Sequence, residues 1–281
     1  MSEQLYAPLI TFVGTTPNIG TTLAAFAAAS RIAESSDATV GYLCLNLKSA
    51  KLQRYVGIDR PATGLDTIRP ELRDRSLEPA KLLRTAYPIR EIPGLNVLFG
   101  NMERDQAEFY TAEDIEFLLE TARWTFDIVV ADVGAYWDNA ATVCALREAS
   151  TRVLVTTGAL THFQEDWNRW IGQVSPLFGV PSTSYELLVI QTPWKNGGFH
   201  VKDICKETGL PLTGELRMTE PMLLQLDNGR YDHWLRSEEG RSTMKPSAEL
   251  WMRQYGVNKK QPKLVQPWYR KLLAHRNGVG S

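Results

Sequence analysis

The chain has 281 residues, of which 43% are hydrophobic and 22% are charged, and its formal net charge is −1. This composition is typical of a globular protein with a sizeable core, and the length suits one large α/β domain. The charge balance gives no indication of nucleic-acid binding, and no apolar run approaches the about 20 residues of a membrane span. The three cysteines are far apart in the sequence, as expected for reduced thiols in a cytoplasmic protein.

The first predicted elements are a strand, a loop of small residues and a helix. Residues 9–14 are apolar and end at Gly14, and Thr21 and Thr22 open an Ala-rich helix over 22–34. This order predicts a phosphate-binding loop, because the backbone N–H groups of the loop and the helix dipole favour an anion. The N–H donors are expected from five consecutive residues: Asn18, Ile19, Gly20, Thr21 and Thr22.

Beyond the first helix, apolar runs alternate with helical segments. Predicted strands cover five further stretches: 39–46, 94–100, 126–134, 152–157 and 185–191. The segment 69–92 is expected to be charged and helical, and Thr111 and Asp114 form a capping-box pattern at the start of another helix. The alternation predicts a doubly wound α/β fold, in which a mostly parallel sheet has helices on both faces. Right-handed crossovers then bring the carboxyl ends of the strands to the edge that holds the phosphate loop.

Polar residues stand at the carboxyl ends of three predicted strands: Asn46, Asp132 and Gln191. In a doubly wound sheet, ligands bind in the crevice at this edge. Each residue also has an ordinary structural interpretation. Asn46 and Asp132 are common caps of strand ends and turns, and Gln191 could simply end its strand.

Residues 14–22 resemble the deviant Walker A loop of the MinD/ParA ATPases, which reads approximately S-x-K-G-G-x-G-K-T. The order of strands and helices is similar to that family over about residues 8–255. Gly20 and Thr22 match the last glycine and the magnesium-binding threonine of the motif. The resemblance implies a three-layer fold of the P-loop NTPase type, with ATP or ADP and Mg as cofactors.

The loop departs from that motif at its charged positions. Thr16 replaces the signature lysine that crosses the dimer interface in the family, and Thr21 replaces the phosphate-binding lysine. Pro17 and Asn18 replace two glycines, and Pro17 has no N–H to donate. The resemblance therefore implies a degenerate site that binds nucleotide weakly or not at all.

The resemblance also assigns roles to the residues at the strand ends. The run that ends at Asp132 is similar to the family's F-D-x-V-I-x-D strand, so Thr22 and Asp132 are the expected metal ligands. Asn46 replaces an Asp of the family and brings no charge to a metal. Gln191 stands where the family has an Asn whose side chain reads adenine.

Loss of both lysines favours a non-catalytic pseudo-ATPase that acts as a scaffold or positioning protein. A finer similarity of residues 97–100 and 108–114 to the TadZ/CpaE branch implies pilus or secretion assembly or cell-pole localisation. The expected partners are proteins of an envelope-associated machine, not nucleic acid. The alternative is a slow MinD-like ATPase switch that obtains its lysines from elsewhere. A DNA-partitioning protein and a nicotinamide-binding enzyme agree less well, since the core shows no basic face and the loop lacks G-x-G-x-x-G.

Two assembly states are expected, neither of which depends on nucleotide: a monomer whose crevice is free, or a homodimer, and we favour the homodimer. Thr16 is too short and uncharged to reach the phosphates of a second subunit, so a homodimer would form by apolar contacts. Trp137 follows the Asp132 strand, near the face that the family uses for pairing. It is either an interface anchor or an ordinary core tryptophan.

The C-terminal segment differs in character from the rest. We expect one domain over residues 1–257, and a basic linker with a short amphipathic segment over 258–281. Residues 268–276 would make a weak membrane contact, or would dock Trp268 and Leu272 on protein. The expected location is the cytoplasm, with the inner face of the membrane as a peripheral site.

Overall fold

The computed structural model describes residues 6–193 and 198–260. Its strands are Leu9–Gly14 (β1), Val40–Leu45 (β2), Tyr87–Pro88 (β3), Leu95–Leu98 (β4), Ile128–Val133 (β5), Thr151–Thr157 (β6), Tyr185–Gln191 (β7) and Leu212–Arg217 (β8). They form one sheet in the order β3-β4-β2-β5-β1-β6-β7-β8. Every neighbouring pair is parallel except β3 with β4. The predicted doubly wound, mostly parallel sheet is therefore confirmed.

The α-helices are Thr21–Ser35 (α1), Leu52–Tyr55 (α2), Arg69–Arg73 (α3), Pro79–Thr85 (α4), Ala112–Thr125 (α5), Ala140–Glu148 (α6), Ser175–Leu177 (α7), Val201–Thr208 (α8), Glu220–Asp227 (α9), Tyr231–Arg236 (α10) and Lys245–Gln254 (α11). A helix with π-type hydrogen bonding covers Thr161–Val174, and 3₁₀ turns cover Leu65–Ile68, Arg104–Phe109, Ser182–Ser184 and Gly240–Ser242. The capping box at the start of α5 is confirmed, since Thr111 Oγ1 accepts from the Asp114 N–H and the Asp114 carboxylate accepts from the Thr111 N–H.

The expected helix over 69–92 is wrong in its second half. Helix α3 ends at Arg73 and α4 at Thr85, and β3 then pairs antiparallel with β4 at the edge of the sheet. Proline suits such a position because it cannot donate a hydrogen bond to a further strand. Pro88 thus closes this edge.

Helix α1 packs between the sheet and α11. All of its residues from Leu23 to Ala33 are buried, and six of them are alanine. Small side chains let a helix lie close to a sheet, which explains why so alanine-rich a helix is central here. This close packing fixes the position of the loop that precedes α1.

A buried cation holds the C-terminal end of α1. Arg31 is 2% exposed, and its Nε donates to the Thr243 carbonyl at 3.0 Å. Its Nη2 donates to the Gly240 carbonyl at 2.8 Å and to the Leu235 carbonyl, and its Nη1 pairs with Glu34. Each guanidinium nitrogen therefore has an acceptor, and the C-terminal helices are fastened to α1.

The last described residues also return to this end of α1. The Lys260 N–H donates to the Ser35 carbonyl at 2.7 Å, and Lys259 forms an isolated antiparallel β-bridge with Ser36. The segment 268–276, with Trp268 and Leu272, lies outside the described residues. Among residues 6–193 and 198–260, no helix is both long enough and apolar enough to cross a membrane.

Candidate functional site

The loop between β1 and α1 is fastened to the sheet and then turns sharply. The Thr15 N–H donates to the Val155 carbonyl at 2.9 Å, and its hydroxyl donates to Thr156 Oγ1 at 3.1 Å. Asn18 and Gly20 both have left-handed backbone, with φ of 62° and 102°. A Cβ on Gly20 would lie 2.7 Å from Met218 Cε, the mobile end of a flexible side chain, so it is the left-handed backbone that favours glycine there.

This turn leaves a row of N–H groups without acceptors. Within the part of the chain that the structure describes, the backbone N–H groups of residues 18–22 make no hydrogen bond, and the first helical bond runs from Ala24 to the Gly20 carbonyl. Gly20 has no side chain that could cap the helix. Free N–H groups at a helix N terminus form an anion-binding site. The predicted donors therefore lie together.

Asp132 lies directly behind Thr22 at the end of β5. Its side chain is fully buried, and its Oδ2 accepts from Thr22 Oγ1 at 2.7 Å and from the Tyr42 hydroxyl at 3.0 Å. Its Oδ1 has no partner among the described residues. Burial raises the pKa of Asp132 to about 7, although the hydrogen bonds from Thr22 and Tyr42 act to lower it.

Tyr42 is a residue of this site that no sequence motif indicated. It lies in the middle of β2, a strand that we expected to be mostly apolar, and its pKa is raised by burial and by the nearby Asp132 carboxylate. A buried tyrosine hydroxyl almost always needs a partner. That requirement could have indicated a polar group on the neighbouring strand.

Asn46 follows β2 and faces the same region. Its Oδ1 is buried and, among the described residues, has no hydrogen-bond partner. A Cβ on Gly134 would lie 2.9 Å from this oxygen, so the glycine after β5 leaves room for it. Two buried oxygens without donors, on Asn46 and Asp132, therefore lie at the ends of neighbouring strands.

A cavity of about 400 Å³ joins the loop to these strand ends. Five of the predicted site residues line it: Asn18, Gly20, Thr21, Thr22 and Asn46. Ile19 and Gln191 instead line a second cavity of about 980 Å³, which shares Asn18 and Met218 with the first. The Gln191 amide donates to the Glu215 carboxylate. The structure thus gathers the phosphate-side residues and places Gln191 apart from them.

A lysine that the sequence analysis left without a role also lines the first cavity. Lys51 follows β2 by a few residues, and its Nζ donates to the Asn18 side-chain oxygen at 3.1 Å. Lys48, three residues earlier, pairs with the Asp138 carboxylate. The signal was present in the sequence, because two lysines after a buried strand lie at the crevice edge.

The donor set fits a divalent cation with a phosphate. Mg²⁺ prefers oxygen ligands, and it is commonly held by one or two carboxylates together with substrate phosphates. Thr22 and Asp132 offer a hydroxyl and a carboxylate, and the free Asn46 oxygen lies nearby. In the described residues no group of three or more His, Cys, Asp or Glu side chains converges, so phosphate oxygens would supply the remaining ligands.

Trp137 packs inside this chain. It is 7% exposed and stacks on Phe178, with 5.9 Å between ring centroids and 22° between planes. Of the two interpretations offered for Trp137, the core tryptophan agrees with this packing.

Solved structures share this fold. No protein-family model and no curated protein sequence matches the chain. A ParA family ATPase from Chlorobium tepidum TLS superposes with a TM-score of 0.74 at 19% identity, covering 87% of this chain and 98% of that one. The MinC:MinD cell division protein complex of Aquifex aeolicus gives 0.70 at 14% identity, covering 92% and 99%. The septum site-determining protein MinD complexed with Mg-ADP from Pyrococcus horikoshii OT3 gives 0.69 at 15% identity, covering 89% and 98%.

These comparisons define the class by fold. The chain is an α/β protein with a strand, loop and helix arranged as in P-loop NTPases. More narrowly, it has the fold of the MinD/ParA ATPases, as the loop resemblance implied.

Proposed function

We propose that the protein is a MinD/ParA-like scaffold or positioning protein whose degenerate nucleotide site does not support efficient hydrolysis. One observation carries this proposal. The loop has Thr16 and Thr21 at the two lysine positions of the family motif, while the Thr22–Asp132 pair is retained at 2.7 Å. The site keeps the two expected metal ligands, and it lacks the loop lysines that neutralise charge during phosphoryl transfer.

The proposed work of the protein is to bring other proteins together. One structure of similar fold is a cell division complex of MinD with MinC, which is a protein partner. The similarity to the TadZ/CpaE branch supports partners in an envelope-associated pilus or secretion machine, and a cytoplasmic or membrane-peripheral location. A nucleotide-independent homodimer would give such a scaffold two copies of each binding surface.

Phosphate release from Mg-ATP tests the proposal. Loss of one preorganised charge commonly costs about a hundredfold or more in rate, so we expect turnover at least that far below a lysine-bearing relative measured beside it. Asp132→Ala serves as the background control. Turnover as fast as in the relative, abolished in that variant, would contradict the proposal.

A slow ATPase switch is the second candidate. The retained Thr22–Asp132 pair and the presence of Lys51 in the cavity favour it. Light scattering with and without Mg-ATP separates the two functions. A dimer under both conditions supports the scaffold, whereas a monomer that dimerises only with Mg-ATP supports the switch.

A further inference from the structure

We propose that Lys51 supplies the positive charge that the loop lacks, and that it holds the terminal phosphate of a nucleotide, or a comparable polyphosphate, at the N terminus of α1. This names the ligand class and its cationic partner at the site described above. It rests on the proposed function only in treating the cavity as a ligand site, and it holds whether or not the ligand is hydrolysed.

Lys51 reaches the loop from the neighbouring strand. Its Nζ lies 3.1 Å from Asn18 Oδ1, and Asn18 is the first residue in the row of free N–H groups. The left-handed backbone of Asn18, with φ of 62°, belongs to the same turn that exposes those groups. The ammonium group therefore lies beside the predicted anion donors, although it comes from a segment 33 residues away.

The partner of Lys51 leaves its charge uncompensated. Lys48 pairs with the Asp138 carboxylate and lies 5.6 Å from the centre of the Tyr136 ring. Within the described residues, Lys51 forms no ion pair, and its acceptor is the neutral amide of Asn18. A cation held by an amide can still form a charge-assisted hydrogen bond to a phosphate.

The buried oxygens specify what should accompany the anion. Asp132 Oδ1 is fully buried without a donor behind Thr22, and Asn46 Oδ1 is a second such oxygen in the cavity wall. Oxygens of this kind require a cation or a donor. Free N–H groups and Lys51 on one side, with unpartnered oxygens on the other, match a phosphate that carries a divalent cation.

Binding of ADP and of pyrophosphate, each with Mg²⁺, to the full chain tests this inference by calorimetry. A charge-assisted hydrogen bond commonly contributes about 10- to 100-fold in affinity, so Lys51→Met should weaken both ligands by about tenfold or more. Lys51→Arg keeps the charge and should retain most of the affinity. Lys48→Met is the matched control, since it removes one lysine from the same segment but outside the cavity wall, and a change below roughly threefold is expected.

The outcomes distinguish this inference from the proposed function. Equal affinity of the natural chain and Lys51→Met, an equal loss in Lys48→Met, or no binding of either ligand by the natural chain would each overturn the role of Lys51. None of those results affects the proposal of a non-catalytic scaffold, which fails instead on rapid turnover of Mg-ATP. Thermal unfolding of Lys51→Met verifies that the variant is folded; because the residue is exposed, its melting temperature should match that of the natural chain.

Discussion

The two ends of helix α1 differ in whether the polar groups near them have hydrogen-bond partners. At the C-terminal end, each nitrogen of the buried Arg31 guanidinium donates to a carbonyl or a carboxylate. At the N-terminal end, a row of N–H groups over residues 18–22 has no acceptor, and one oxygen of the buried Asp132 has no donor, among the described residues. The same helix thus carries a completed network and an incomplete one.

The two ends differ in whether the chain itself supplies the hydrogen-bond partners. Native proteins satisfy the great majority of their buried polar groups, and the exceptions call for an explanation. Arg31 needs no ligand to explain its position, because its acceptors come from the chain itself. The groups around Thr22 and Asp132 would gain partners if a ligand with both an anion and a cation entered the cavity, as proposed above.

The largest expected effect concerns the completed network. Arg31→Met should destabilise the fold by about 3–5 kcal/mol, because the carbonyls of Thr243, Leu235 and Gly240 and the Glu34 carboxylate lose their donor together. Urea unfolding measures the change, and the exposed Arg253→Met on α11 is the control, for which we expect about 0.5 kcal/mol or less. A loss below about 1 kcal/mol in Arg31→Met would show that the contacts do not hold the helices together.

The incomplete network should show itself as a dependence of stability on pH. Asp132 has a folded-state pKa of about 7 and an unfolded value near about 3.9. Its protonated form is favoured by folding, so its contribution is fully present below about pH 4 and is lost as the pH rises to about 7. The largest loss is on the order of 4 kcal/mol.

Asp132→Asn isolates this contribution. Measured by urea unfolding in EDTA, the difference in unfolding free energy between the natural chain and Asp132→Asn should move in favour of the variant from pH 4 to pH 7.5. Parallel pH profiles for the two proteins would mean that Asp132 is not protonated in the folded state near neutral pH.

A substitution at Gly20 tests whether ligand binding requires the left-handed backbone of the loop. Gly20→Val forces a β-branched side chain into backbone with φ of 102° and brings its Cβ to within 2.7 Å of Met218 Cε. We expect a cost of about 1–3 kcal/mol from the strained backbone and loss of measurable Mg-ADP binding. Tight binding that survives this change would place the nucleotide outside the first cavity.

The smallest effect should come from the two donors to Asp132. Thr22→Val and Tyr42→Phe each remove one hydrogen bond to Oδ2 and should each cost about 1–2 kcal/mol in unfolding free energy. Only Thr22 lines the cavity, so only Thr22→Val should also weaken Mg-ADP. Equal loss of Mg-ADP affinity in both variants would show that the Thr22 hydroxyl affects ligand binding only through its hydrogen bond to Asp132.

Much of the fold could be predicted from local patterns in the sequence. The apolar runs predicted β2, β5, β6 and β7 to within about two residues at each end, and the small residues predicted α1. These elements are encoded by consecutive residues. The edge strand β3 was missed, because a two-residue pairing with β4 leaves no periodic pattern in the sequence.

The candidate site could be predicted from the sequence only in part. The loop residues are contiguous, and Thr22 and Asp132 were joined through the family resemblance across 110 positions. Tyr42 and Lys51 reach the site by contacts across 90 and 33 positions, and no local pattern reveals which neighbours such side chains meet. Gln191 was placed with the nucleotide residues by analogy, and in the structure it lines the second cavity while its side chain donates to Glu215.

The return of the chain to Ser35 has a practical consequence for experiments. The Lys260 N–H meets the Ser35 carbonyl at the far end of α1, and a helix of 15 residues is about 22 Å long. An affinity tag or surface tether joined immediately after residue 260 would therefore start about that far from the loop. Immobilised protein held in this way should keep its cavity open to solution, which makes surface-based measurement of small anions feasible.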